Sequence, residues 1–312
     1  MSRSKREARE PMIPAPNRNK HIWTAGDGGI RTGWLLTVSL FGYTLVTLAT
    51  RYGLIRAFTA LFETWGVDAT NVHRAPAWSR FIYVWHGSIA TLAFAALTLL
   101  LAGWLRRLWR LEGALLEPPF GGLWKGTVVG ILGPLIVAAL CLFPDSMRWE
   151  WPLTAPRFSW TLPVMAIVSL ISTFAEEAFT KRVIFDGLQA RWNRLWATVA
   201  VCAVFLLGSG FGGSIIGTVN TLLLGGVVCA LYARYGFWTS VGFRWGWSMT
   251  NVFLLGFGGG DAAVYRFYGV SEALMTGGDT GLMHGLWTTL LLVCMNIALI
   301  LNMRPKKCHD HR

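Results

Sequence analysis

The feature that most constrains this chain is a series of apolar blocks, each roughly 17 to 24 residues long. That is the length an α-helix needs to cross a ~30 Å hydrocarbon layer at about 1.5 Å per residue. Composition agrees. Hydrophobic residues make up 54% and charged residues 14%, where a soluble domain averages about a quarter charged. Aromatic residues stand at block ends, as an amphipathic ring does in the headgroup layer. Trp34, Trp104, Trp124, Trp160 and Trp238 are examples. The expected fold is an all-α polytopic membrane bundle of about eight transmembrane helices, with both termini cytoplasmic.

Residues 1–31 are polar and basic and read as a cytoplasmic tail. The first span is Gly33–Thr50. The run RYGLIRAFTALFETWGV that follows has apolar residues at helical spacing, which predicts an interfacial amphipathic helix. The second span is Phe81–Trp104, stopped by the basic LRRLWRLE, and the third is Gly126–Phe143. The fourth runs from Trp160 into Glu176 and Glu177 and continues as the helical TKRVIFDGLQARW. Spans five to eight are Leu195–Gly208, Ile215–Tyr235, Trp238–Gly256 and Leu282–Met303. A basic tail, residues 304–312, closes the chain, so one transmembrane domain, 32–303, lies between two tails.

Charge supports this topology. Of the 28 Lys and Arg, 20 fall on the inner side, seven on the outer, and Arg244 lies within a span. An inner excess of this kind is topogenic. The net charge of +12 is then an affinity for anionic lipid rather than for nucleic acid. The expected location is a bacterial inner membrane. The five cysteines, four of them in apolar blocks, show no paired spacing, so neither a zinc site nor a disulfide framework is expected. His86 and His284 read as interfacial or packing residues. No cofactor or metal is called for.

Ionisable groups in a span are costly and face the protein interior or water. Glu177 and Lys181 are four residues apart, as are Arg182 and Asp186, so two ion pairs on one helix are expected. Glu176 is left without an obvious partner. Adjacent carboxylates beside an apolar core also suit a general base acting on water. Arg244 must find an acceptor or snorkel, and pairing with Glu176 or Glu177 is the sharper reading. Asn220, Ser248 and Asn251 read as helix–helix hydrogen-bonding residues.

These residues resemble those of the CPBP family, the type II CAAX prenyl endopeptidases and bacteriocin-processing and immunity proteins, most clearly over 170–290. The family pattern EExxxR is met by EEAFTKR, with Glu176 and Glu177 in place and Lys181 where arginine is expected. The pattern FxxxH is met by FLLGS, keeping Phe205 but placing Ser209 at the histidine. A third pattern, often SLWLPIGLHFGWNF, is similar to GFWTSVGFRWGWSM. Trp238, Gly242, Gly246 and Trp247 agree, while Arg244 stands at the histidine and Ser248 at the asparagine. The glycine-containing NTLLLGGV from Asn220, and Gly277, Gly278 and Gly281 before the last span, also look like family members.

The resemblance implies a helical bundle around a wet cavity, in which Glu176 activates water, two histidines assist and the asparagine stabilises an oxyanion. Both histidines and the asparagine are replaced here. Serine cannot bind a proton near neutrality, and a guanidinium takes up carboxylate lone pairs that would hold a water. The replacements read together as a salt bridge in place of a catalytic centre. The first reading is therefore a non-proteolytic membrane protein with a binding or protective role. The alternative is an active, atypical glutamate-dependent endopeptidase cleaving membrane-associated or prenylated peptides. A small-solute transporter is a third class, against which stands the lack of an inverted repeat. Expected partners are membrane lipid and a membrane protein or prenylated peptide.

Overall fold

The computed structural model describes residues 30–68, 70–112, 120–142, 147–150, 161–209, 214–257, 266–269 and 273–302. Most of both predicted tails lies outside these residues, as does Trp160. Each apolar block is helical. The helices are α1 (Thr32–Thr64), α2 (Ala77–Trp109), α3 (Gly121–Leu142), α4 (Thr161–Arg191), α5 (Arg194–Ser209), α6 (Ile215–Tyr235), α7 (Phe237–Met249) and α8 (Leu286–Asn302). Five of them, α1 to α4 and α6, are long and apolar enough to cross a membrane. Helices α5 and α8 are shorter apolar helices. Large apolar side chains such as Phe41, Leu100, Trp124 and Leu195 cover the outside of the bundle. A lipid environment solvates such a face where water does not, and the chain is an integral membrane protein on these grounds. The all-α expectation has one exception among the described residues. Met147–Glu150 pairs antiparallel with Arg266–Gly269, Met147 opposite Gly269.

One sequence expectation is corrected. The amphipathic segment after Thr50 is not a separate interfacial helix. It continues the first span as one helix, Thr32–Thr64, through a π-helical segment at Leu48–Leu54. Hydropathy falls at Arg51, but no proline interrupts the backbone pattern there. The helix that carries the second span also runs on beyond Trp104. Helix α2 runs to Trp109 and ends on Arg110 in the left-handed region, with φ 55°. Arg106, part of the presumed basic stop, is buried and donates to the carbonyls of Arg182 at 2.9 Å and Glu112 at 2.9 Å.

Three helices contain π-helical stretches: Leu48–Leu54 in α1, Thr180–Phe185 in α4, and Thr250–Leu254 continuing α7. Such segments interrupt the usual i→i−4 ladder and recur at functional sites. Here each places polar residues toward the middle of the bundle: Arg51, Lys181 and Asn251. The turn between α6 and α7 is a single residue, Gly236, at φ 89°, where a β-carbon would be strained.

Helices α3 and α7 lie in backbone contact, and small residues make this possible. A β-carbon on Gly126 would meet the Thr239 carbonyl oxygen at 2.1 Å, and one on Gly130 the Phe243 oxygen at 2.1 Å. Across the seam, a β-carbon on Gly242 would meet the Leu123 oxygen at 2.1 Å and one on Gly246 the Thr127 oxygen at 2.5 Å. At the end of α2, the buried Trp109 donates its indole N–H to Ser39 Oγ at 3.1 Å and its ring covers Gly187. We expect Gly130→Ala to destabilise the protein by about 1–3 kcal/mol through forced separation of α3 and α7. Gly103→Ala on α2, where a β-carbon meets nothing within 4 Å, should be neutral or slightly stabilising. Thermal denaturation in detergent compares the two, and equal effects would contradict the close seam.

Candidate functional site

Glu176 and Glu177 stand at the end of the regular part of α4, just before its π-helical stretch. Consecutive residues on a helix point about 100° apart. The two carboxylates therefore reach different neighbours. Glu176 faces α1 and α7, and its Oε1 accepts from Arg51 Nη2 at 2.8 Å while its Oε2 accepts from Arg244 Nη2. Glu177 is fully buried. Its Oε1 accepts from Arg244 Nη1 at 3.2 Å and its Oε2 from Ser240 Oγ at 2.5 Å. Lys181 Nζ lies 3.5 Å from the same Oε2. Arg244 thus spans both glutamates with two nitrogens, the fork geometry that distinguishes arginine from lysine.

Three cations in an apolar bundle need more than two carboxylates, and phenylalanine faces add attraction without neutralising the surplus charge. Arg244 lies 4.5 Å from the Phe205 ring centroid and Lys181 lies 5.0 Å from it. Arg51 lies 4.8 Å from the Phe94 centroid. Each distance is within the range for attraction to the negative ring face, which strengthens on desolvation. Lys181 Nζ has no hydrogen-bond partner among the described residues. Its charge is held by Glu177 and by the ring.

Of the residues singled out in the sequence, the structure brings Glu176, Glu177, Lys181, Phe205 and Arg244 into this one cluster. Ser248 joins them along the wall of the adjoining cavities. Ser209 ends α5, and its side chain lies outside the described part of the structure. The expected Arg182–Asp186 pair is present at 3.9 Å but belongs elsewhere, near Tyr232. Asn220 behaves as a bridge, donating to the Met283 and Gly285 carbonyls at 2.8 and 3.1 Å. Asn251 bonds its own helix, at the Trp247 carbonyl, 2.9 Å. His284 pairs with Ser214 Oγ at 2.8 Å, and His86 Nδ1 lies 2.6 Å from the Tyr83 carbonyl. Among the described residues, no group of three His, Cys, Asp or Glu could hold a metal.

Two side chains of the cluster escaped the sequence reading, Arg51 and Ser240. Ser240 is one helical turn before Arg244 and so shares its face, a spacing that was open to inspection. Arg51 opens the segment expected to be an interfacial amphipathic helix, because hydropathy closes the first span at Thr50.

Two cavities meet at the cluster. One, of about 390 Å³, is walled by Tyr43, Phe205, Trp247 and Asn251. The other, of about 750 Å³, lies toward α2 and the N-terminal half of α4. Arg51, Glu176, Arg244 and Ser248 line both. The ion cluster is therefore the partition between two spaces large enough for a small ligand.

Residues 158–250 match the family model described as type II CAAX prenyl endopeptidase Rce1-like. The match covers less than a third of the chain, from just before α4 to the start of the π-helical stretch after α7. It includes every site residue named from the sequence and leaves Arg51 and both cavity walls from α1 and α2 outside. The matched stretch is the one whose motifs resemble the CPBP family in the sequence. No curated protein and no solved structure is matched.

Removing one partner of a buried ion pair strands the other charge, at a cost of about 3–5 kcal/mol. Arg244 serves both glutamates and is 23% exposed, whereas Arg51 serves one and is 44% exposed. Arg244→Ala should therefore lower the melting temperature strongly and Arg51→Ala much less, since exposed pairs contribute little. Thermal denaturation of the purified variants checks this. An unchanged melting point for Arg244→Ala would show that the cluster does not hold the bundle together.

Proposed function

We propose that this protein is a non-proteolytic membrane protein built on a CAAX protease-like helical scaffold, in which an ion-pair cluster replaces the catalytic centre. One observation carries the reading. All four carboxylate oxygens of Glu176 and Glu177 accept from protein donors, namely Arg51, Arg244 and Ser240. A general base must present a free lone pair to water within hydrogen-bond reach. Here guanidinium groups that stay charged at any working pH engage both oxygens of Glu176 and compete with a water for it. The residue at 244, where the family pattern has histidine, is the arginine that clamps both glutamates. What remains is the part of such a site that binds: two cavities beside the charges, open to ligands that lie in a membrane. Its partners would be membrane lipid and a membrane protein or lipid-modified peptide, with no nucleic acid. A bacterial plasma membrane fits the charge asymmetry of the sequence.

A second reading, an active but atypical glutamate-dependent endopeptidase, is favoured by the position of Glu176. It lines both cavities beside Ser248, so a substrate carbonyl could approach it if Arg51 moved away.

The two readings separate in one assay. Purified protein is incubated with a prenylated CAAX peptide and a set of membrane peptides, and products are followed by mass spectrometry. No cleavage is expected, and Glu176→Gln should leave the peptide profile unaltered. Cleavage that Glu176→Gln abolishes would overturn the non-proteolytic reading.

A further inference from the structure

The ion cluster leaves one charge over. Among the described residues it holds three cations, Arg51, Lys181 and Arg244, against two carboxylates, Glu176 and Glu177. Lys181 is sealed, with 0% exposure. The surplus is reachable only at the two guanidinium groups. Arg51 is the more open of them, and Nη2 is its one nitrogen with a protein acceptor among the described residues. A guanidinium carries five N–H donors, so Arg51 has donors left for an anion.

Both guanidinium groups line the cavity of about 750 Å³. Its wall changes character along α4. Near the charges stand Ser172 and Thr173, within a turn of Glu176, and Ser248, one turn beyond Arg244. Val168 and Met165, with Ser169 beside them, lie about 12–16 Å from Glu176 along the helix axis. The wall also includes Ile55 and Val84, which are exposed on the apolar outside of the bundle. The cavity is thus a lateral slot: a cationic, hydroxyl-lined inner end and a mainly apolar length, with His86, Ser88, Thr91 and Ser169 interspersed, that reaches the lipid-facing surface.

The geometry points to a binding site for a single-chain amphiphile with a carboxylate or phosphate head. The head meets Arg51 and Arg244, a match that guanidinium makes through paired, charge-assisted hydrogen bonds. The chain lies along α4 toward Met165, where burial of each methylene adds to affinity. A neutral head would leave the surplus charge unpaired. An anion without a chain would forgo the apolar wall. This inference deepens the non-proteolytic reading and rests on it.

The test uses the full chain in a neutral detergent, with binding measured by equilibrium dialysis and native mass spectrometry. Oleate and oleoyl-lysophosphatidate are the probes. Monoolein has the same chain and a neutral head, while acetate and inorganic phosphate have the head alone. The two anionic lipids should bind at least about tenfold more tightly than monoolein, since a charge-assisted hydrogen bond contributes about that factor. Acetate and phosphate should not bind measurably. Arg51→Gln should weaken oleate by about tenfold. Val168→Trp, which fills the slot without touching any ion pair, should abolish binding. Monoolein binding as tightly as oleate, phosphate binding as tightly as the lysophosphatidate, or indifference to both substitutions would overturn the proposal. If Arg51→Gln does not fold, the head-group series and Val168→Trp decide the matter. The peptide-cleavage assay is run on the same preparation. Cleavage with anion-selective lipid binding retained counts against the non-proteolytic reading alone. Absence of both counts against the amphiphile site alone.

Discussion

The structure depends on a guanidinium group placed in the middle of an apolar bundle. Arg244 cannot shed its proton and, at 23% exposure, cannot reach bulk water freely. It must therefore be met by acceptors, and the two adjacent glutamates of α4 meet it. Two carboxylates side by side would in turn repel, and the cations of α1, α4 and α7 remove that repulsion. Neither half is tolerable without the other in this environment. Arg51, Lys181, Ser240 and the faces of Phe94 and Phe205 complete the arrangement.

The rest of the fold can be understood as holding these groups in register. The glycine seam presses α7 against α3 and so sets the height of Ser240, Arg244 and Ser248 relative to α4. The π-helical stretch of α1 carries Arg51 on the side facing Glu176, and that of α4 follows directly after the glutamates. Trp109 and Arg106 tie the end of α2 to α1 and to the π-helical stretch of α4. Glycines that resemble a protease family in the sequence thus have a packing reason. Gly242 and Gly246 admit the backbone of α3.

Much of this was legible in the sequence. Hydropathy located the helices because a span must be apolar over its whole length. Polar residues inside spans located the cluster because their burial is costly enough to require partners. The i,i+4 spacing gave the Glu177–Lys181 pair, and charge logic gave Arg244 to the glutamates. Arg51 was not legible by the same rule. A charged residue at a block end looks like the boundary of a span, and only three-dimensional packing shows that the helix continues and that its arginine turns inward. The burial of Arg106, read only as part of a basic stop, was hidden for the same reason: it donates to backbone carbonyls from inside the packing. The cavities were not visible at all, since a void is a property of how helices lean on one another.

The central claim is that Glu176 is held as an ion-pair partner of Arg244. A double-mutant cycle tests it most directly. Glu176→Gln, Arg244→Gln and the double variant are compared by equilibrium unfolding in detergent micelles. Groups bonded to one another show a coupling energy of about 0.5–3 kcal/mol. The expected result is coupling toward the upper end of that range, with the double variant more stable than the two single losses would give. Additive losses would contradict the pairing and return Glu176 to the role of a free carboxylate beside a cavity.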